Sequence, residues 1–67
     1  MEAVISFKFY SSNAETEKEV TVDATKVIET VNSEIDKYLK KLIQKFTETK
    51  NLQMLLGIKV MLRLEFK

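Results

Sequence analysis

The sequence predicts a small α+β domain of order ββαβ, and three patterns carry that reading. Apolar and polar residues alternate near the start of the chain, they alternate again at its end, and an apolar stripe of helical period lies between. Alternation marks a half-buried strand, because successive side chains of a strand point to opposite faces. Recurrence at intervals of three and four marks a helix lying on a core.

The first strand is expected over about residues 2–11. Ala3, Ile5, Phe7 and Phe9 point one way, and Val4, Ser6, Lys8 and Tyr10 the other. Ser11, Ser12, Asn13 and Ala14 then form a cluster with turn chemistry, since Ser and Asn side chains bond local backbone and Asn tolerates positive φ. A second strand is expected over about residues 15–22. Val20 and Val22 share its inner face; Glu17, Glu19 and Thr21 share the other, the character of a charged edge strand. The two strands make a hairpin.

Asp23 is placed to cap a helix, its carboxylate accepting from an N–H of the first turn. Val22 and Val27 occupy the positions of a hydrophobic staple. The helix is expected over about residues 24–49, where neither Pro nor Gly interrupts. Val27, Ile28, Val31, Ile35, Tyr38, Leu39, Leu42, Ile43 and Phe46 cover an arc of roughly 160°. Glu29, Glu34 and Asp36 lead, and Lys37, Lys40, Lys41 and Lys45 follow, an order that suits the helix dipole. Asp36 and Lys40 form a favourable pair one turn apart. Helical phase fails after Phe46, so the helix should end between Thr49 and Asn51, with Asn51 as its left-handed cap.

The third strand is expected over about residues 57–67, with Gly57 at its start. Ile58, Val60, Leu62, Leu64 and Phe66 form an apolar face, expected to be buried, against Lys59, Met61, Arg63, Glu65 and Lys67. If alternation extends backward, Met54 and Leu56 join that face. The strands then form one sheet covered on one side by the helix. Order 2-1-3 is preferred to 1-2-3, because it pairs the two most hydrophobic strands and puts the acidic one at an edge.

Composition narrows the function. Sixty-seven residues, 45% of them hydrophobic and 31% charged, with net charge +1, make one domain with a small core. There is no cysteine and no histidine. Disulfides, thiolate or imidazole metal ligation and Ser-His or Cys-His catalysis are thereby excluded. None of the acids falls on an expected apolar face, where burial would raise its pKa. The single glycine, Gly57, rules out a glycine-rich phosphate loop. The chain is therefore expected not to be an enzyme, and to need no cofactor, no metal and no small-molecule substrate. Its apolar runs are too short to span a bilayer, and Met1-Glu2-Ala3-Val4 lacks the basic start of a signal peptide, so a cytoplasmic protein without a membrane partner is expected.

Protein–protein interaction is the expected task, above all self-association, with a homodimer preferred to a larger homo-oligomer and another protein as a further partner class. A third strand reaching back to Met54 would extend roughly 45 Å and outrun the second. Its spare edge, with Leu52, Met54, Leu55, Leu56 and the outward Met61, is the expected oligomer interface. On this reading Leu64→Asp unfolds the domain, whereas Leu55→Asp leaves a folded monomer. The alternative is that residues 51–56 form a turn of helix or a loop folded over the open end of the core, with a monomer as the result. A second function class is nucleic-acid binding. It would use the outer sheet face, Lys8, Tyr10, Lys59, Arg63 and Lys67, or the helix ridge Lys37, Lys41 and Lys45.

Overall fold

The hairpin, the helix and the last strand all form where the patterns place them. The computed structural model describes residues 1–11 and 14–67. Its elements are β1 (Glu2–Ser11), β2 (Ala14–Asp23), a 3-10 turn (Ala24–Lys26), α1 (Val27–Thr49), a second 3-10 turn (Leu52–Leu55) and β3 (Lys59–Phe66). The turn expected at Ser12 and Asn13 lies outside the described residues. The sheet is β2-β1-β3, with both neighbouring pairs antiparallel. β1 is central, as the pairing of the two most hydrophobic strands requires.

Asp23 caps the helical segment. Its Oδ1 accepts from the Thr25 N–H at 3.0 Å and from the Thr25 hydroxyl at 2.8 Å. These bonds hold the Asp23 carboxyl below the usual carboxylate range, the backbone bond contributing most. The first turn is 3-10, and α1 follows for 23 residues, about 34 Å at 1.5 Å per residue. Lys40 and Asp36 pair at 2.9 Å. The C-terminal cap differs from expectation. Lys50, not Asn51, takes the left-handed conformation, at φ 57°, and its N–H donates to the Phe46 carbonyl at 2.7 Å. Asn51 instead opens the second 3-10 turn, accepting from the Gln53 N–H at 3.1 Å. A side chain that can cap a helix end can equally cap the start of the next turn, and here the latter prevails.

Residues 52–55 are thus neither strand nor open loop. The turn packs against α1, and Leu55 is half-buried there. The strand does not reach back to Met54. Gly57, at φ 65°, supplies the left-handed residue that redirects the chain into β3. β3 has 8 residues and β2 has 10, so the third strand does not outrun the second.

The core sits between β1, β2 and α1. Ile5, Phe7 and Phe9 are buried, and Val20, Val22, Val27, Val31, Ile35, Tyr38 and Val60 pack against them. The Phe9 ring stacks on Phe7 at 5.6 Å and on Tyr38 at 4.4 Å. Each fully buried phenylalanine contributes about 1.5–3 kcal/mol. The helix is offset toward β2. The Lys18 ammonium of β2 donates to Glu34 Oε2 of α1 at 2.7 Å, and the faces of α1 follow from that bond at 100° per residue. Glu34, Lys37 and Lys41 flank β2; Val27, Val31, Tyr38 and Leu42 face the core; Ile28, Leu39 and Ile43 lie on the flank turned away from β2.

The offset changes the fate of β3. Its expected buried face is largely open: Leu62 is 49% exposed, Leu64 44% and Phe66 57%. One helix is about 10 Å wide, and three strands at about 4.8 Å spacing are wider than it covers. The result is long and thin, 44 × 17 × 12 Å, with a radius of gyration of 13.5 Å. A compact chain of this length would have about 11 Å. The accessible surface, 5054 Å², likewise exceeds the roughly 4400 Å² of a compact monomer of this mass.

Candidate interaction surface

Two surfaces answer to the expectations: the open side of β3, and the charged outer face of the sheet with the lysine flank of the helix.

The open side of β3 has a floor, a wall and an edge. The floor is Leu62, Leu64 and Phe66, with Val60 half-buried at its inner end. The wall is the helix flank of Ile28 and Leu39, both exposed. The edge is the backbone of β3 away from β1. Its polarity can be derived. The Lys67 N–H donates to the Glu2 carbonyl at 2.9 Å, and the Ala24 N–H donates to the Met1 carbonyl at 2.9 Å. Main-chain groups of an antiparallel strand alternate between its two sides. Lys59, Met61, Arg63 and Glu65 therefore direct theirs to β1. Val60, Leu62, Leu64 and Phe66 direct theirs outward, where no strand pairs with them among the described residues.

The residues expected to form an oligomer interface are only partly gathered here. Leu52 and Leu56 are exposed beside the start of β3. Leu55 is half-buried against α1, so part of its role is structural. Met61 is exposed on the outer face, opposite Lys8. The Met54 side chain lies outside what is described. Sequence reasoning missed Leu62, Leu64 and Phe66, having placed them in the core. Nothing in the strand's alternation distinguishes a covered face from an uncovered one. The available signal was arithmetic: three inner strand faces and one helix.

The outer sheet face does assemble Lys8, Tyr10, Lys59, Arg63 and Lys67, all of one parity. It also assembles carboxylates. Glu15 sits opposite Tyr10, Glu17 opposite Lys8 and Glu19 opposite Ser6. Lys8 Nζ lies 3.4 Å from Glu17 and 3.9 Å from Glu15, and Arg63 lies 3.0 Å from Glu65. The Glu17 hydrogen bond, with the Tyr10, Glu17 and Glu15 charges behind it, raises the Lys8 pKa. The face is thus divided, acidic along β2 and basic along β3. Hairpin register was the signal that would have found the acids.

On the helix, Lys37 pairs with Glu34 at 3.7 Å, while Lys41 and Lys45 have no ion pair among the described residues. A shallow groove between α1 and β2 is lined by Phe9, Thr16, Lys18, Lys37, Tyr38 and Lys41. Glu34 closes one side of it, its side chain 11% exposed. Its carboxyl is held below the usual range, chiefly by the Lys18 hydrogen bond against the opposing effect of desolvation.

Among the described residues no cluster of acidic side chains is arranged to hold a metal ion, and no helix is long and apolar enough to cross a membrane. Comparison with protein-family models, with curated proteins and with solved structures finds no match.

Proposed function

We propose that the chain is a non-catalytic self-assembly module, a homodimer formed through the open side of β3. The observation that carries the reading is the coincidence of an uncovered apolar floor, Leu62, Leu64 and Phe66, with an unpaired strand edge on the same strand. An exposed apolar edge strand is a template for pairing with another chain, and natural domains normally blunt such edges with charge. β2 carries a charge, Lys18, on its inner face as well as the acids on its outer face, whereas the charges of β3 (Lys59, Arg63 and Glu65) all lie on the outer face and its inner face is wholly apolar. Sedimentation velocity at low and high micromolar concentration tests the reading. A dimer at both, or a shift from monomer to dimer between them, is expected. A monomer throughout overturns it.

A second reading, binding of single-stranded nucleic acid, draws on the groove between α1 and β2, whose lining includes Tyr38 and the cations Lys18, Lys37 and Lys41; Glu34 pairs with Lys18 and Lys37, and Lys41 has no ion pair among the described residues. The outer sheet face supports it less, because acids share that face with the cations. Binding that weakens steeply with salt and is lost in Lys41→Glu would favour this reading. No binding at low salt would remove it.

A further inference from the structure

The edge of β3 carries enough chemistry to fix how two copies meet. We infer that the second copy adds its β3 antiparallel to the first, about a two-fold axis through Leu62, making one six-stranded sheet of order β2-β1-β3-β3-β1-β2. The inference rests on the self-assembly reading and goes beyond it by naming the register.

Three constraints select that register. The first is side-chain parity. Residues directly opposite in an antiparallel pair point to the same face, so a two-fold axis must pass through a residue that meets its own copy. The second is backbone polarity. Val60, Leu62, Leu64 and Phe66 present their N–H and C=O groups outward, so these residues must meet one another across the axis. The third is charge. An axis at Arg63 sets Arg63 against Arg63 and Lys59 against Lys67. An axis at Met61 sets Lys59 against Arg63. Like charges directly opposite destabilise a sheet. An axis at Leu62 sets Lys59 against the second copy's Glu65, twice by symmetry, and Met61 against Arg63. On the inner face it sets Leu62 against Leu62, Val60 against Leu64 and Ile58 against Phe66. Axes at Leu64 and at Val60 also avoid like charges, but the first overlaps only residues 61–67 and leaves Val60 and Ile58 unmatched, and the second overlaps only Lys59–Met61 of the two strands. The Leu62 axis spans all of β3 and forms about six main-chain hydrogen bonds between Val60 and Leu64 of the two copies.

The arrangement accounts for two further features. The apolar floors of the two copies become one continuous floor between the two helix flanks of Ile28 and Leu39. The charged edges of β2 end up outermost, where they oppose addition of a third copy.

The chain has no cysteine of its own, so an introduced thiol reports on one position. Leu62→Cys should form an intermolecular disulfide under mild oxidation, because directly opposite residues bring their Cα atoms to about 5.5 Å. Leu64→Cys should not, since with the axis at Leu62 the two Leu64 positions are offset by roughly 13 Å along the strands. Wild-type protein that sediments as a dimer while Leu64→Cys, or neither variant, cross-links overturns the register and leaves self-assembly standing. Wild-type protein that stays monomeric overturns both. Should Leu62→Cys fail to fold, charge exchange tests the same geometry. Lys59→Glu and Glu65→Lys should each weaken the dimer about tenfold, and together restore it to within about twofold. Weakening in the double variant as large as the two single effects combined counts against the pairing.

Discussion

Val20 and Leu64 sit on either side of the same residue, Ile5, yet they live in different surroundings. Val20 packs against the Ile5–Phe7–Phe9 cluster under the helix; Leu64 remains 44% exposed. Both are aliphatic and both point to the inner face of the sheet. What separates them is where the one covering element comes to rest. α1 follows directly from β2, is tied to it by the Lys18–Glu34 bond, and fills the space over β2 and β1. β3 enters the sheet last and finds the covered positions taken. An apolar face in a strand therefore does not say whether the chain's own helix covers it.

The largest test of that contrast is a charge placed at each of the two positions. Val20→Asp puts a carboxylate under the helix and should cost at least about 3 kcal/mol. For a domain of this size that is most of its stability, and the far-ultraviolet circular dichroism should lose its cooperative melt. Leu64→Asp should leave the melt of the monomer nearly intact while weakening self-association at least about a hundredfold by sedimentation. This reverses the expectation drawn from alternation alone, by which Leu64→Asp unfolds the domain. If both variants unfold, β3 is held by its own chain after all and the contrast collapses.

The helix end separates backbone effects from both surfaces. Lys50 occupies a left-handed conformation at φ 57°, where a side chain is strained and glycine is not. Lys50→Gly should therefore stabilise the domain by about 1 kcal/mol, raising Tm by roughly 4–8 °C for a chain of this length. Self-association at β3 should be unchanged. A lowered Tm would mean that the long Lys50 side chain covers apolar surface in the second 3-10 turn to more effect than its strain costs.

Most of the fold was legible because each element carried its own local signal. Period two at Ala3–Tyr10 and Ile58–Lys67, the Asp23 cap and the lack of a helix breaker are short-range facts, and β1, β3 and α1 obey them. Strand order followed from pairing the most apolar strands. The site was less legible. Lys50 in place of Asn51 at the cap depended on a competition between two neighbouring turns. The open face of β3 depended on the lateral offset of a helix, to which neither local period nor composition is sensitive. The acids beside Lys8 depended on a hairpin register that sets Glu17 directly opposite it.

The smallest effect asks what holds the helix on the β2 side. Glu34 has its pKa lowered in the folded chain, first by the Lys18 hydrogen bond. A group whose folded pKa is depressed stabilises the fold above its unfolded value, and that contribution is lost as pH falls through the folded value. Glu34→Gln should accordingly cost about 0.5–1 kcal/mol at neutral pH, since Lys18 is half exposed and the pair is screened. The difference between variant and wild type should shrink below pH of about 4.3, the ordinary glutamate value, and vanish once Glu34 is protonated in both states. Thermal melts of both proteins at neutral and acidic pH measure it. A cost well above 1 kcal/mol would mean that the ion pair and not the Phe9–Tyr38 core keeps the helix away from β3. A cost in the expected range assigns that work to the core. The open side of β3 is then a consequence of where Val27, Val31, Tyr38 and Leu42 find their apolar partners, and no change to the charged flank will close it.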